Sequence, residues 1–248
     1  MTAAEHLPHR PRFLAAGDTA LVVEFGDRVD AEMSARVLAL ARRVEAAGIA
    51  GVVETVPTFR SLMVHYDPLT LTNAELRARL APLLADLSGE VPAGRHWRLP
   101  ACYDAGLGLD LAEVAARTGL SAADVVKAHS GAPFRVYMVG FLPGFAYLGG
   151  LPAALELPRR ENPRLKVDAG SIAIAMAMSV IYSIDSPGGW NVLARTPVWL
   201  WDLRRDPAAL VSAGDTVSFA PISRAEYDEL AGKAQAGELR LTPQPQRA

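Results

Sequence analysis

The stretch "SIAIAMAMSVIYSI", residues 171 to 184, constrains the fold more than any other part of the chain. Ile172, Ile174, Met176, Met178 and Val180 alternate with Ser171, Ala173, Ala175, Ala177 and Ser179, and a period of two is the signature of a strand. One face carries bulk that fills a core. The other is so small that a second layer can approach closely, as at a barrel's tight face or beneath a ligand. Shorter strand patterns surround it: "FRVYMVGF" from Phe134, "WNVLARTPVWLWD" from Trp190 and "DTVSFAPI" from Asp215, with turns at Thr196-Pro197 and Gly214-Asp215. Several strands at this spacing, with no helical pattern before Arg224, predict a closed or nearly closed β-barrel.

The first third of the chain alternates differently. "RFLAAGDTALVVEFGD" reads as two short strands around a Gly17-Asp18 turn. Met33, Val37, Leu40, Ala41 and Val44 recur at helical spacing, and Gly48 sits where a helix stop is wanted. "VVETVPTFRSLMVHYDP" is a strand pair broken at Pro57. Thr72 lies three residues before Glu75, a capping box, ahead of a stripe of Leu76, Leu80, Leu83, Leu84 and Leu87. This order suggests a small open α/β sandwich with both helices on one face. "SGEVPAGR", residues 88 to 95, is the most linker-like stretch, and 248 residues suit two units. The expected fold class is therefore α+β: an N-terminal α/β domain over residues 1–90 and a β-barrel domain over residues 91–248.

Charge and composition remove several function classes. A formal net charge of −2 offers no field for polyanions, so neither nucleic acid nor an anionic membrane is an expected partner. Two short amphipathic helices around Gly119 have helix-turn-helix spacing. The second, Ala122 to Ser130, sets Lys127 against Asp124 and lacks the cations a groove reader needs. The lone Cys102 permits no internal disulfide, "MTAAEHLPHRPR" has no apolar run of a signal peptide, and nothing reaches ~20 apolar residues, so a cytoplasmic location is expected. There is no Walker loop and no dinucleotide-binding glycine pattern. Five scattered histidines and a single cysteine give no ligand spacing, so no metal site is expected.

Three loops hold the candidate site. "GFLPGFAYLGGLP" sets Phe141, Phe145 and Tyr147 among glycines and prolines, either as a rigid binding lip or as a plug for a barrel end. "LPRRENPRLKVDAGS" holds Arg159, Arg160, Arg164 and Lys166 between Pro158 and Pro163 or just beyond them; the run is either solvated surface or stiffened guanidinium groups suited to a carboxylate or phosphate. "IDSPGGWNVLARTP" offers Ser186, Gly188, Gly189, Trp190 and Arg195, a second wall of the same pocket or a turn anchored by a buried Trp190. His129 ends a helix near the first loop and is a candidate acid or base, with packing or capping as the alternative.

Taken together, "HSGAPFRVYMVGFLPGFAYLGGLP", "PRRENPRLKVDAGSIAIA" and "IYSIDSPGGWNVLARTP" resemble the allophanate hydrolase subunit 1 family, and "GDTALVVEFGD" and "VPTFRSLMVHYDP" extend the likeness over residues ~13 to 222. The family includes B subunits of ATP-dependent 5-oxoprolinase. The resemblance implies a small α/β domain followed by a cyclophilin-like β-barrel, a C-type partner subunit, a TIM-barrel A-type subunit, and ATP shared with those partners. It implies hydrolysis of 5-oxo-L-proline to L-glutamate, with negligible activity of this chain alone. On that reading Arg159, Arg164 and Arg195 hold an anion, Tyr147 and Trp190 are ring walls beside Ser186, Gly188 and Gly189, and His129 is the acid or base. Two other readings remain: a regulator that inhibits a histidine kinase, and a carboxyltransferase-like subunit of the urea or allophanate type. Peptidyl-prolyl isomerase action rests on fold analogy alone. The chain departs from the family at Met176, Met178 and Val180, where glycine, glutamine and glycine are usual, and this narrows the space above the strand and removes hydrogen-bonding capacity.

Overall fold

A computed structural model of the chain describes residues 11–87 and 94–244, and the chain divides into two compact units, 1–92 and 93–248. Residues 88–93 of the linker-like stretch lie outside the described residues.

In the first unit, β1 (Arg12–Ala15), β2 (Ala20–Glu24), β3 (Val52–Pro57) and β4 (Ser61–Tyr66) form an antiparallel sheet in the order β1-β2-β4-β3. Its helices are α1 (Ala31–Ala47) and α2 (Asn73–Leu80). Helix α1 begins where the Asp30 carboxylate accepts the Met33 N–H at 2.8 Å, and it ends at Gly48, whose φ of 53° glycine adopts without strain. Thr72 and Glu75 form the reciprocal capping box of α2. Leu21, Val23, Leu62 and Val64 alternate onto the covered face of the sheet and pack with Val37, Leu40, Val44, Leu76 and Leu80 in one core, so both helices lie on the same face.

The strands of the second unit are β5 (His96–Cys102), β6 (Phe134–Val139), β7 (Ala146–Gly149), β8 (Arg164–Val167), β9 (Ser171–Ala175), β10 (Met178–Ile181), β11 (Ser186–Gly188), β12 (Asn191–Arg195) and β13 (Thr216–Ile222). Seven of them close a barrel in the order β10-β7-β6-β13-β5-β12-β9. Only β13 and β5 run parallel; the other pairings are antiparallel. The remaining two, β8 and β11, pair as a separate ribbon. Helices α3 (Leu111–Thr118), α4 (Ala122–Ser130) and α5 (Arg224–Gln235) complete the unit. Closure removes the sheet edges that would otherwise offer unpaired backbone groups to another chain.

The alternating stretch that predicted one long strand is a hairpin. Met176 and Ala177 form a two-residue turn between β9 and β10, with Met178 opposite Ala175. Met176 takes a φ of 51°, the left-handed region that favours glycine. The turn reverses the faces. Ile172, Ile174 and Ile181 belong to the barrel core with Leu99, Phe134, Val136 and Leu148. Ala173, Ala175, Val180 and Val192 belong to a second cluster with Phe145, Tyr182 and Trp190. The small side chains do admit a second layer, and that layer is the β8–β11 ribbon, through Val167 and Trp190.

Candidate functional site

The outer face of β7, β9 and β10 gathers the aromatic side chains of the predicted loops. Val180 faces Tyr147 in one register and Ala173 in the other, and these side chains pack with the rings in one buried cluster. Tyr147 and Trp190 meet edge to face, centroids 6.2 Å apart, and Phe145 stands 5.0 Å from both Tyr147 and Tyr182. Trp190 is buried, Tyr147 half-buried. The guanidinium of Arg159, itself exposed, lies 5.4 Å from the Trp190 ring centroid. The exposed cation therefore caps the buried indole. Burial raises the pKa of the Tyr147 phenol, opposed by the Arg159 charge; burial pushes Tyr182 up to about 12, opposed by the Trp190 backbone N–H that donates to it. Both phenols are neutral donors at neutral pH.

The ribbon holds this face in place, and Gly188 is where it comes closest. A methyl group built on Gly188 would enter the envelope of the Tyr182 hydroxyl, whereas one on Gly189 would meet Pro163 at an ordinary 3.6 Å. Segment 157–160 is tied down by backbone bonds: Met176 N–H donates to Leu157 O, and Arg160 N–H to Gly189 O at 2.8 Å. Asn191 Nδ2 donates to Pro158 O at 3.1 Å. These bonds fix the chain on either side of Arg159.

The other predicted cations are already engaged. Asp110, only 2% exposed, accepts Arg164 Nη1 at 2.8 Å and Nη2 at 2.6 Å, Arg160 Nη1 at 2.7 Å, and the Val192 N–H at 2.7 Å. Arg160 also reaches Glu113 at 2.8 Å, and the guanidinium holds that carboxyl below its usual range. Arg195 donates to Ala169 O at 2.9 Å and pairs with Asp168 at 3.1 Å, beside Lys166, which bridges Asp168 and Asp185. Ser186 pairs with Val167 and Gly188 with Arg164, so Ser186 lies at the Val167 end of the ribbon, near the Asp168 group, and Gly188 at the other.

His129 sits inside the barrel unit, fully buried. Its Nδ1 is 2.8 Å from the Tyr103 hydroxyl and its Nε2 3.2 Å from Ser179 Oγ. Ser179 Oγ donates to Ala173 O at 3.2 Å, so the histidine Nε2–H is the donor in its pair and Nδ1 accepts from Tyr103. The ring stacks on Phe219 at 5.0 Å, and burial lowers its pKa to about 3. It is a neutral packing group.

Arg159, Tyr147, Gly188, Gly189 and Trp190 are thus brought together; Arg164 shares the ribbon end but turns to Asp110; Ser186, Arg195 and His129 lie elsewhere. Sequence reasoning missed Asp110 as the acceptor of two arginines. Its signal was visible, an acid immediately before a helix, but an N-cap explains such an acid equally well. It missed Tyr182 as the support beneath Gly188. Among the described residues no group of His, Cys, Asp and Glu could hold a metal ion, and no helix is long and apolar enough to cross a membrane.

Residues 11–211 match the family described as carboxyltransferase domain, subdomain C and D, and the chain belongs to that family. The chain is 35% identical over 225 residues to the B subunit of 5-oxoprolinase from Bacillus subtilis, covering 85% of this chain and 92% of that protein. It is 37% identical to the B subunit of 5-oxoprolinase from Escherichia coli O157:H7, covering 86% and 96%. Among solved structures, TTHA0988 is 37% identical with a TM-score of 0.74; the likeness covers 82% of this chain but 40% of TTHA0988. Urea amidolyase of K. lactis, 19% identical with a TM-score of 0.77 over 94% of this chain and 16% of its own, shares the fold.

Proposed function

We propose that the chain is the B subunit of a 5-oxoprolinase, a cytoplasmic complex in which it joins a C-type and an A-type subunit to open 5-oxo-L-proline to L-glutamate at the expense of ATP. The observation that carries this reading is end-to-end similarity to two bacterial proteins of that name, each covered for more than nine-tenths of its length.

The chemistry of the face is consistent with a binding role. 5-Oxoproline is a flat lactam bearing a carboxylate. Arg159 supplies an exposed guanidinium with no carboxylate partner among the described residues, and the buried Trp190 ring, edge to face with Tyr147, supports it from beneath. A planar guanidinium is the side chain best matched to a carboxylate. Gly188 and Gly189 keep the ribbon low enough for approach. Arg164, Arg195, Ser186 and His129 are given supporting roles: Arg164 and Arg195 secure the loops, Ser186 pairs with Val167 in the ribbon, and His129 fills the core.

ATP does not fit this chain's own residues. Arg160, Arg164 and Arg195 are spent on Asp110, Glu113 and Asp168, and the one guanidinium left at the Arg159–Trp190 face cannot neutralise a triphosphate. The nucleotide falls to the partner subunits. What this chain does is orient an anion and exclude water from one side of it. Mixing the chain with its C-type and A-type partners tests the proposal: ATP-dependent loss of 5-oxoproline, absent when this chain is omitted, is expected. Turnover of urea with no turnover of 5-oxoproline would move the assignment to the carboxyltransferase reading.

A further inference from the structure

The loop after β12 and the segment after α5 enclose a cavity that shares no residue with the Arg159–Trp190 face. Its volume is about 150 Å³. Val198, Leu210, Leu239 and Leu241 form its apolar wall, and Trp199 closes one side. A cavity of about this size has room for a benzene ring.

Its charge is unbalanced. Arg204 is neutralised: Nε reaches Asp202 Oδ1 and Nη2 reaches Oδ2, both at 2.9 Å, while its Cζ lies 4.9 Å from the Trp199 ring centroid. Arg205 has no such partner. Its Nη2 donates to Ala208 O at 3.0 Å, and its buried Nε meets no acceptor. Burial lowers the Arg205 pKa, the expected response of a cation stripped of water without a carboxylate in contact. Arg240 is exposed at the same cavity and has no hydrogen bond or ion pair among the described residues. Two guanidinium groups with no carboxylate in contact therefore border a hollow that has an apolar wall on one side, Asp202 acting on Arg205 only from a distance.

We propose that this cavity binds a small organic carboxylate with an apolar body, its ring or branched chain among Val198, Leu210, Leu239 and Leu241 and its carboxylate on Arg205 and Arg240. An inorganic anion gains nothing from the apolar wall. A neutral apolar molecule leaves both guanidinium groups uncompensated, and a nucleotide exceeds the volume. The site is independent of the proposed hydrolase activity, and so is its test.

Isothermal titration of the full chain with benzoate, and with benzyl alcohol as a neutral analogue of the same size, reads the site directly. Benzoate is expected to bind with a Kd at or below about 1 mM and benzyl alcohol at least ~10-fold more weakly. Arg240→Ala, which removes a side chain that holds nothing else, should weaken benzoate at least ~5-fold without changing the thermal midpoint, since surface changes of this kind rarely alter stability. Leu241→Trp should fill the hollow and abolish the heat. Absence of saturable heat from benzoate, equal binding of the two probes, or an Arg240→Ala variant that binds benzoate unchanged would each overturn the proposal.

Discussion

Arg164 and Asp110 meet in a two-bond fork, Nη1 to Oδ2 at 2.8 Å and Nη2 to Oδ1 at 2.6 Å, 54 residues apart in sequence. The carboxylate is buried, and it also takes Arg160 and the Val192 N–H, so one acid joins the start of α3, the β8 ribbon and barrel strand β12. A buried charge with several partners is costly to strand. Asp110→Ala is expected to lower the unfolding free energy by about 3–5 kcal/mol, read by chemical denaturation, because it leaves Arg164 and the Val192 N–H without their acceptor and Arg160 with Glu113 alone. Glu113→Ala, which removes a half-exposed acid from the same cluster, should cost under about 1 kcal/mol.

Gly188 and Gly189 should behave oppositely. Gly188→Ala forces a methyl group against the Tyr182 hydroxyl and is expected to cost about 1–3 kcal/mol, part of which Tyr182→Phe in the same chain should restore. Gly189→Ala meets only Pro163 at 3.6 Å and should stay within about 0.5 kcal/mol of the parent. Thermal unfolding of the three variants distinguishes them.

The turn at Met176 predicts a gain. A non-glycine residue at φ 51° carries strain that glycine lacks, and the side chain is 47% exposed, so little packing is lost. Met176→Gly is expected to stabilise by about 1 kcal/mol after the entropy of the added glycine is counted, visible as a higher denaturation midpoint.

Acid stability should show His129. Its folded pKa of about 3 lies below the ordinary ~6.5 of an unfolded histidine, so between those values the unfolded chain binds the extra proton. The stability it allows is whole above pH ~6.5 and is lost as pH falls toward 3, by about 1.4 kcal/mol per pH unit. About 2 kcal/mol should disappear between pH ~6.5 and ~5, above the range where the depressed carboxyls Glu113 and Asp185 contribute. Stability should depend less on pH across that interval in His129→Gln, as denaturation curves at each pH would show.

Local signals carried much of the fold. Gly48, Thr72 and Glu75 mark helix ends through bonds that span a few residues, and such chemistry is visible in a string of letters. The hairpin at Met176-Ala177 was hidden because neither residue is a turn former and the alternation runs through it unbroken; only closure of the barrel requires the reversal. The rings and glycines that the structure groups were legible in the sequence, but the pairing of the charges was not. Arg159, Arg160, Arg164 and Arg195 look alike in sequence. Which of them is spent depends on Asp110 and Asp168, and the pairing of those acids is decided by barrel topology rather than by neighbours in the chain. His129 likewise looked available until the helix carrying it was packed against Phe134 and Phe219.

The measurement that bears most directly on the account is steady-state turnover of 5-oxoproline by the proposed complex, assembled with this chain carrying Arg159→Ala or Arg195→Ala. Loss of a charged hydrogen bond to the substrate corresponds to roughly 10- to 100-fold in kcat/KM, and that drop is predicted for Arg159→Ala, with Arg195→Ala within about 3-fold of the parent. Unchanged turnover in Arg159→Ala, or a larger loss in Arg195→Ala, would contradict the assignment of the Arg159–Trp190 face as the place where the substrate is held.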